Sequence, residues 1–524
     1  MRYLPAKISW NNNWLFLAII VLGVALRLFN LAQHDFWLDE VLTHEVISGM
    51  FAAGPDHEFN SLSIDKHPPF YYALLRQWSF LFGLNEFSLR FFSVIFSVLS
   101  IIILYKLGVL FFDKITALIG AALMALSPFQ IWYAQEARMF SLSVFFTLAG
   151  VYIFFKALEK EKIILYWVIF SLVTLCLIST TYFALFLFIP ELIIILSKYR
   201  RCFVKWALSA GIALLIFALI ILPTFISQFN LLKDGFWLQG AGSAWFILIS
   251  LVNFITGYSL SPLVYWSVLS LMIALAFAAL IKRQNSKEVL FLILFSILPL
   301  ILVFLFDSYI AHIYLTRHLI IFSPFLYLLL SKGITSLKHP FLKITGIAVF
   351  LIILSCSLYN YYADKLVFYY EPQAVCLKKP VRPLVAKFLS FKKDGDALGF
   401  TNNSFMVTFQ YYLSRESKRG SDVPGFYFYK KNTDLYFERI LSRMHAKNFK
   451  PKYRDLDIDM LDLNEYNLRN IWVFFASWNR DGSFSSNDRE VKKWFDARFP
   501  RLGAFYIDGV LVNIYQIRKV DNEK

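Results

Sequence analysis

The apolar run Leu15-Phe16-Leu17-Ala18-Ile19-Ile20-Val21-Leu22-Gly23-Val24-Ala25-Leu26 carries no charged side chain and is long enough to begin a bilayer crossing. Arg2 and Lys7 precede it and no small-residue cleavage site follows, so it reads as a retained membrane helix and not as a removed signal peptide. Similar runs recur near 90–111, 115–128, 141–157, 163–179, 182–197, 206–223, 262–281, 289–306, 319–331 and 342–360, which with 14–31 predicts about eleven transmembrane helices. A chain of 524 residues that is 58% hydrophobic, with 19% aromatic residues and a mean hydropathy of +0.56, excludes an ordinary soluble protein of this size.

Charge divides the chain. Roughly half of the Lys, Arg, Asp and Glu follow residue 360, which predicts a transmembrane core over 1–360 and a soluble α/β domain over 361–524. The net charge of +16 does not point to a nucleic-acid partner, because much of the excess base lies in short loops between apolar runs, where lipid headgroups account for it. Cys176, Cys202, Cys356 and Cys376 form neither a CxxC pair nor a zinc spacing.

Basic loops set the orientation. Lys156, Lys160 and Lys162, then Lys198, Arg200, Arg201 and Lys205, then Lys282, Arg283 and Lys287, then Lys332, Lys338 and Lys343 all thread to one side, which the positive-inside rule makes cytoplasmic. Residues 32–89, 128–140, 224–261, 307–318 and the whole tail after 360 are then expected outside, in a multi-pass protein of the cell membrane. Within the tail, 396–400 and 471–475 read as strands, 437–449 and 489–499 as helices, and 504–513 as a hairpin turned by Asp508-Gly509. No phosphate-binding glycine loop occurs there, and the domain is expected to dock an acceptor, cover the site or simply cap the core.

Four polar patterns share the expected outer face. Asp39 and Glu40 follow the first span, with His44 and Glu45 one turn on; acids there either have a chemical task or cap and charge an interfacial helix. Asp65-Lys66-His67-Pro68-Pro69-Phe70-Tyr71-Tyr72 breaks any helix before the prolines and starts one after them. The loop 127–140 carries Tyr133, Gln135, Glu136 and Arg138, and Glu136 with Arg138 could serve only to neutralise each other. Arg317 and His318 open the penultimate span, as phosphate ligands or as snorkelling anchors.

Taken in order, the acid pair, the Asp-x-His-Pro-Pro-x-Tyr-Tyr segment, Arg90, the Ser-Pro-Phe…Gln-Glu-x-Arg-Met-Phe loop and the late Arg-His resemble the family 39 type membrane glycosyltransferases. These are GT-C fold enzymes, kin to protein O-mannosyltransferases and to the aminoarabinose transferase of lipid A. The resemblance spans about residues 10–360 and rests on order and spacing. It implies transfer of a sugar from a polyprenyl-phosphate donor to a lipid, glycan or protein acceptor outside the membrane, with inversion at the anomeric carbon.

That chemistry needs a carboxylate to take the acceptor proton, and cations where charge builds on the departing phosphate. By position in the motif, Asp39 is expected as the base, with Glu40 supporting it or orienting the acceptor; two adjacent acids can titrate as a unit. Arg138, Arg317, His318 and Lys66 are expected at the donor phosphate, and Asp65, His67, Tyr71, Tyr133 and Glu136 at donor or acceptor. A divalent metal could replace some of this charge in related folds. Asp39, Glu40, His44 and His67 have no recognisable ligand spacing, so no cofactor or obligatory metal is expected. A glycan polymerase or ligase using a lipid carrier is an alternative, as is a secondary transporter, although the latter should carry polar or broken segments at mid-membrane and paired halves.

Overall fold

The structure is a computed structural model that describes residues 14–49, 67–233, 243–259, 261–281, 286–365, 380–416, 423–429, 453–457, 463, 466, 468–476, 485–507 and 509–518. Backbone contacts divide the chain into two units: Met1–Leu31, Lys66–Leu232 and Leu238–Ala374 form one, and Ala32–Asp65, Lys233–Trp237 and Val375–Lys524 form the other.

The first unit is helical. Among the described residues, seven helices are long and apolar enough to cross a membrane: Glu86–Phe111, Phe140–Glu159, Arg200–Ile226, Val264–Ile281, Ser286–Tyr309, Thr316–Ser336 and Pro340–Tyr362. An eighth arises if Lys114–Leu126 and Pro128–Ala134, bent by 58° at Ser127, count together. By length and composition the eleven expected spans therefore stand at seven or eight, with Trp14–Leu28, Ile164–Ile178 and Trp245–Thr256 as shorter apolar helices. Trp245–Thr256 falls in a stretch read as outer loop, because a helix of 12 residues is too short to signal a crossing.

Burial separates core helices from lipid-facing ones. Thr316–Ser336 is almost wholly buried and Pro340–Tyr362 largely exposed, and the exposed face of the latter is apolar, as a lipid contact requires. Gly333 permits the tightest approach: a Cβ there would lie 2.3 Å from the Leu275 carbonyl oxygen, so only glycine lets helix Ser323–Ser336 meet Pro262–Ile281.

Arg27 is fully buried at the end of Trp14–Leu28 and is satisfied without an acid. Its guanidinium donates to the Ser97 hydroxyl at 2.7 Å and to the Gly23, Ala125 and Met124 carbonyls at 3.1, 2.9 and 3.2 Å. Two of those carbonyls close helix Lys114–Leu126, where the helix dipole is negative, so the cation ties three helices together.

The C-terminal part of the second unit is built on a six-stranded sheet. Its strands are β1 (Ala397–Phe400), β2 (Gly425–Tyr429), β3 (Tyr453–Asp457), β4 (Asn470–Ala476), β5 (Arg501–Ile507) and β6 (Val510–Gln516), in the order β3-β2-β1-β4-β6-β5. β1 to β4 are parallel, while β6 runs antiparallel to β4 and β5 antiparallel to β6. All seven residues of β4 are buried, as expected for a strand covered on both faces. Its core joins Phe426, Phe428, Ile471, Val473 and Phe475 to Val491 and Phe495 of helix Ser486–Arg498.

The strands expected at 396–400 and 471–475 and the helix at 489–499 are all present, and the hairpin is β5–β6, with Gly509 at φ +84° in its turn. Asp508 and the expected helix 437–449 lie outside the described residues, as does Cys376. Cys176, Cys202 and Cys356 are free.

Candidate active site

In the first unit the proline pair places two tyrosines and a histidine. Helix Phe70–Phe82 starts directly after Pro68-Pro69, and Tyr71 and Tyr72 in its first turn are completely buried. His67 sits just before the prolines, its carbonyl accepting from the Gln228 side-chain amide at 3.3 Å; Tyr182 in turn donates to the Gln228 carbonyl oxygen at 2.7 Å.

Ser-Pro at 127–128 starts the short helix Pro128–Ala134, with the Ser127 hydroxyl accepting from the Gln130 amide at the N-terminus. The turn after this helix presents Gln135, Glu136 and Arg138, all buried. Gln135 donates to the Arg27 and Phe29 carbonyls at 3.0 and 2.8 Å and accepts from the Tyr361 hydroxyl at 2.6 Å, which makes it a cap for the end of the first helix. Glu136 accepts from the Trp132 indole at 2.6 Å, and the Tyr133 and Tyr258 hydroxyls meet at 2.8 Å.

Arg138 points its fork at the other segments. One terminal nitrogen donates to the Tyr72 hydroxyl at 3.1 Å and the other to His67 Nδ1 at 3.1 Å. Guanidinium has no acceptor, so Nδ1 must accept, which leaves the neutral ring's proton on Nε2 as a further donor. The His67 ring stands edge to face with His318, centroids 5.4 Å apart, and His318 lies against Phe140 and Phe183 at 6.2 and 5.1 Å. Three chain segments thus bring His67, Tyr72, Arg138 and His318 together as a cationic, donor-rich cluster with aromatic walls. Arg317 precedes His318 in the 3₁₀ turn Thr316–Phe322 and is buried too. Such a cluster can hold a phosphate through charge-assisted hydrogen bonds.

Tyr71 packs at 5.4 and 6.0 Å from the Tyr72 and Phe92 rings. Arg90 is buried and donates to the Leu31 carbonyl at 2.9 Å, fixing the chain just past the first helix. Asp65 and Lys66 lie outside the described residues.

In the second unit the acid pair opens helix Leu38–Gly49. Glu40 is fully buried, and its Oε2 accepts from the Trp37 backbone amide at 3.4 Å, the reach-back half of a capping box. Asp39 is half-buried, and its carbonyl accepts from the Thr43 hydroxyl at 2.9 Å. The capping reading therefore holds for Glu40. Among the described residues, no three His, Cys, Asp or Glu side chains gather as a metal site.

Gln228, Tyr182 and Ser93, whose hydroxyl donates to the Arg138 carbonyl at 3.3 Å, were not expected at this cluster. All three are uncharged and lie in or beside apolar runs; the signal available was the polar Ser227-Gln228 pair in the apolar sequence of helix Phe203–Lys233.

The fold is similar to that of solved ArnT and AglB structures. ArnT from Cupriavidus metallidurans in its apo state aligns with a TM-score of 0.60 at 12% identity, covering 97% of this chain and 98% of that one. ArnT bound to undecaprenyl phosphate gives 0.58 at 11% identity, over 96% and 98%. The archaeal oligosaccharyltransferase AglB from Archaeoglobus fulgidus, in complex with an inhibitory peptide and a dolichol-phosphate, gives 0.50 at 11% identity, over 98% of this chain and 75% of that one. Residues 66–226 match the family described as dolichyl-phosphate-mannose-protein mannosyltransferase. Comparison with curated protein sequences gives no match.

Proposed function

We propose that this protein transfers a sugar from a polyprenyl-phosphate donor to an acceptor hydroxyl on the outer face of the cell membrane, with inversion. The observation that carries this reading is the buried Arg138 fork, bound to His67 and Tyr72 and backed by His318, on a fold whose relatives include one bound to undecaprenyl phosphate. The acceptor oxygen attacks the anomeric carbon as its bond to the phosphate oxygen breaks. Asp39 takes the acceptor proton, and the electron pair leaves with polyprenyl phosphate. Arg138, Arg317, His318 and Lys66 are assigned to the charge that develops there, Glu40 to holding the helix that carries Asp39, and Asp65, His67, Tyr71, Tyr133 and Glu136 to positioning donor or acceptor. We assign the neutralising charge to these side chains and not to a divalent metal.

Membranes containing the protein, given labelled polyprenyl-phosphate sugar, are expected to consume the donor and release free polyprenyl phosphate with label on a lipid, glycan or protein acceptor. Label that crosses the membrane on an unchanged carrier would instead indicate a transporter.

We also propose the eleven-span topology, in which 14–31, 115–128, 163–179 and 182–197 cross besides the long helices, 224–261 is an outer loop and the domain after residue 360 lies outside. The basic loops and the exposed apolar faces support it. A reporter fused after residue 360 is expected to behave as extracytoplasmic and one near Arg200 as cytoplasmic; a cytoplasmic tail would mean an even number of crossings.

A further inference from the structure

The helix that carries the acid pair belongs to the same unit as the C-terminal sheet domain, and the segment leading into it is held by residues more than 340 positions away. Helix Arg382–Phe391 has Val381 at its N-cap position and no cap from that side chain. Asp35 supplies one: its Oδ2 accepts from the Val381 and Arg382 amides at 2.6 and 2.8 Å, and its Oδ1 accepts from the Arg382 guanidinium. The carboxylate is 5% exposed, so these bonds form in a largely dry site where they are strongest. One residue on, the Phe36 amide donates to the Tyr412 hydroxyl at 2.6 Å, and the Arg382 guanidinium lies 5.5 Å from the Tyr412 ring centroid. Side chain and backbone of consecutive residues are therefore clamped by one Arg–Tyr pair, two residues before the helix begins.

We infer that Asp35, Arg382 and Tyr412 are positioning residues, and that the C-terminal domain's task is to hold the Asp39 helix in register for proton removal. This rests on Asp39 being the base. With Phe36 fixed, little freedom separates the clamp from Asp39, and the Tyr411 ring, 5.0 Å from that of His44, holds the helix one turn further on. A general base acts only within hydrogen-bond reach of its proton, so slack in the clamp reaches the reaction directly.

The test uses the full chain in proteoliposomes with polyprenyl-phosphate sugar as donor. Tyr412→Phe, which removes one hydroxyl, and Asp35→Asn are each expected to lower kcat by on the order of 10–100-fold, the cost of a misplacement near 1 Å, with donor KM unchanged. The pH profile of kcat should shift, and Arg382→Lys should retain more activity than Arg382→Ala. In an Asp39→Asn background, Tyr412→Phe should cost nothing further, because both act through one group. Wild-type kcat and pH profile in Tyr412→Phe, with only a lowered melting temperature, would overturn the positioning role while a dead Asp39→Asn kept the base assignment standing. Full turnover in Asp39→Asn would overturn both. Should Asp35→Asn fail to fold, Tyr412→Phe decides.

Discussion

Asp39→Asn is expected to reduce sugar transfer by about 10²–10⁴-fold, the usual contribution of a positioned general base. In barrier terms that is about 3–5 kcal/mol. The folded protein should scarcely notice. Asp39 is the second residue of helix Leu38–Gly49 and is half-buried, so asparagine keeps its volume and loses one favourable charge near the helix N-terminus, worth roughly 0.3–1 kcal/mol. The Thr43 hydroxyl bonds the Asp39 carbonyl and not its side chain, so that contact survives. Glu40→Gln should be milder, since the amide oxygen can still accept from the Trp37 N–H. Rates measured on protein of unchanged melting temperature check both variants. Wild-type turnover in Asp39→Asn, or a larger loss in Glu40→Gln, would remove Asp39 from the role.

Local features of this chain were legible where one segment contains the whole cause. Pro68-Pro69 can only precede a helix, and helix Phe70–Phe82 starts directly after them. A hydrophobic run such as 471–475, rich in Ile, Trp, Val and Phe, suits a strand covered on both faces, and it became the central β4. The start of the second long helix was read at 90 although it lies at Glu86, where Asn85 caps the Ser88 amide at 2.9 Å. Asparagine is a favoured N-cap residue, so the earlier start has a local signal that an apolar run alone does not carry.

What the sequence did not disclose depends on partners far along the chain. Asp35 and Phe36 look like an unremarkable approach to the acid pair until Val381, Arg382 and Tyr412 are set beside them, separations over which no periodicity carries information. The pairing of Asp35 with Val381 and Arg382 explains why the segment leading into helix Leu38–Gly49 groups with the tail and not with the first helix. β2 and β3 escaped notice for a different reason. Gly425-Phe-Tyr-Phe-Tyr does not alternate, and Tyr453-Arg-Asp-Leu-Asp is too charged to read as buried, as befits an edge strand, β3. At the cation cluster the charges were visible in sequence, but that Arg138 meets His67 and Tyr72 is set by the bend at Ser127, which only the folded helices show.

Replacing Arg138 is expected to produce the other large effect and to separate a phosphate ligand from a membrane anchor. Arg138 is 3% exposed, and its two terminal nitrogens reach Tyr72 and His67 in different directions. Lysine keeps the charge but has a single head on a flexible stem, so it cannot hold both partners and a phosphate oxygen in one plane. The net field is nearly unchanged by Arg138→Lys, and any loss of rate therefore measures geometry. Losing a preorganised donor where charge develops typically costs about 10²–10³ in rate, and Arg138→Ala, which also strands the His67 and Tyr72 groups, should fall further. Tyr72→Phe removes only a supporting hydroxyl and should be milder than either. An anchor would behave otherwise, because lysine snorkels as well as arginine and should then restore full activity. Transfer rate together with affinity for the carrier decides it: if Arg138→Lys and Arg317→Lys both turn over at the wild-type rate, the phosphate must be held elsewhere. His318, whose ring faces His67 at 5.4 Å, would then be the side chain to replace next.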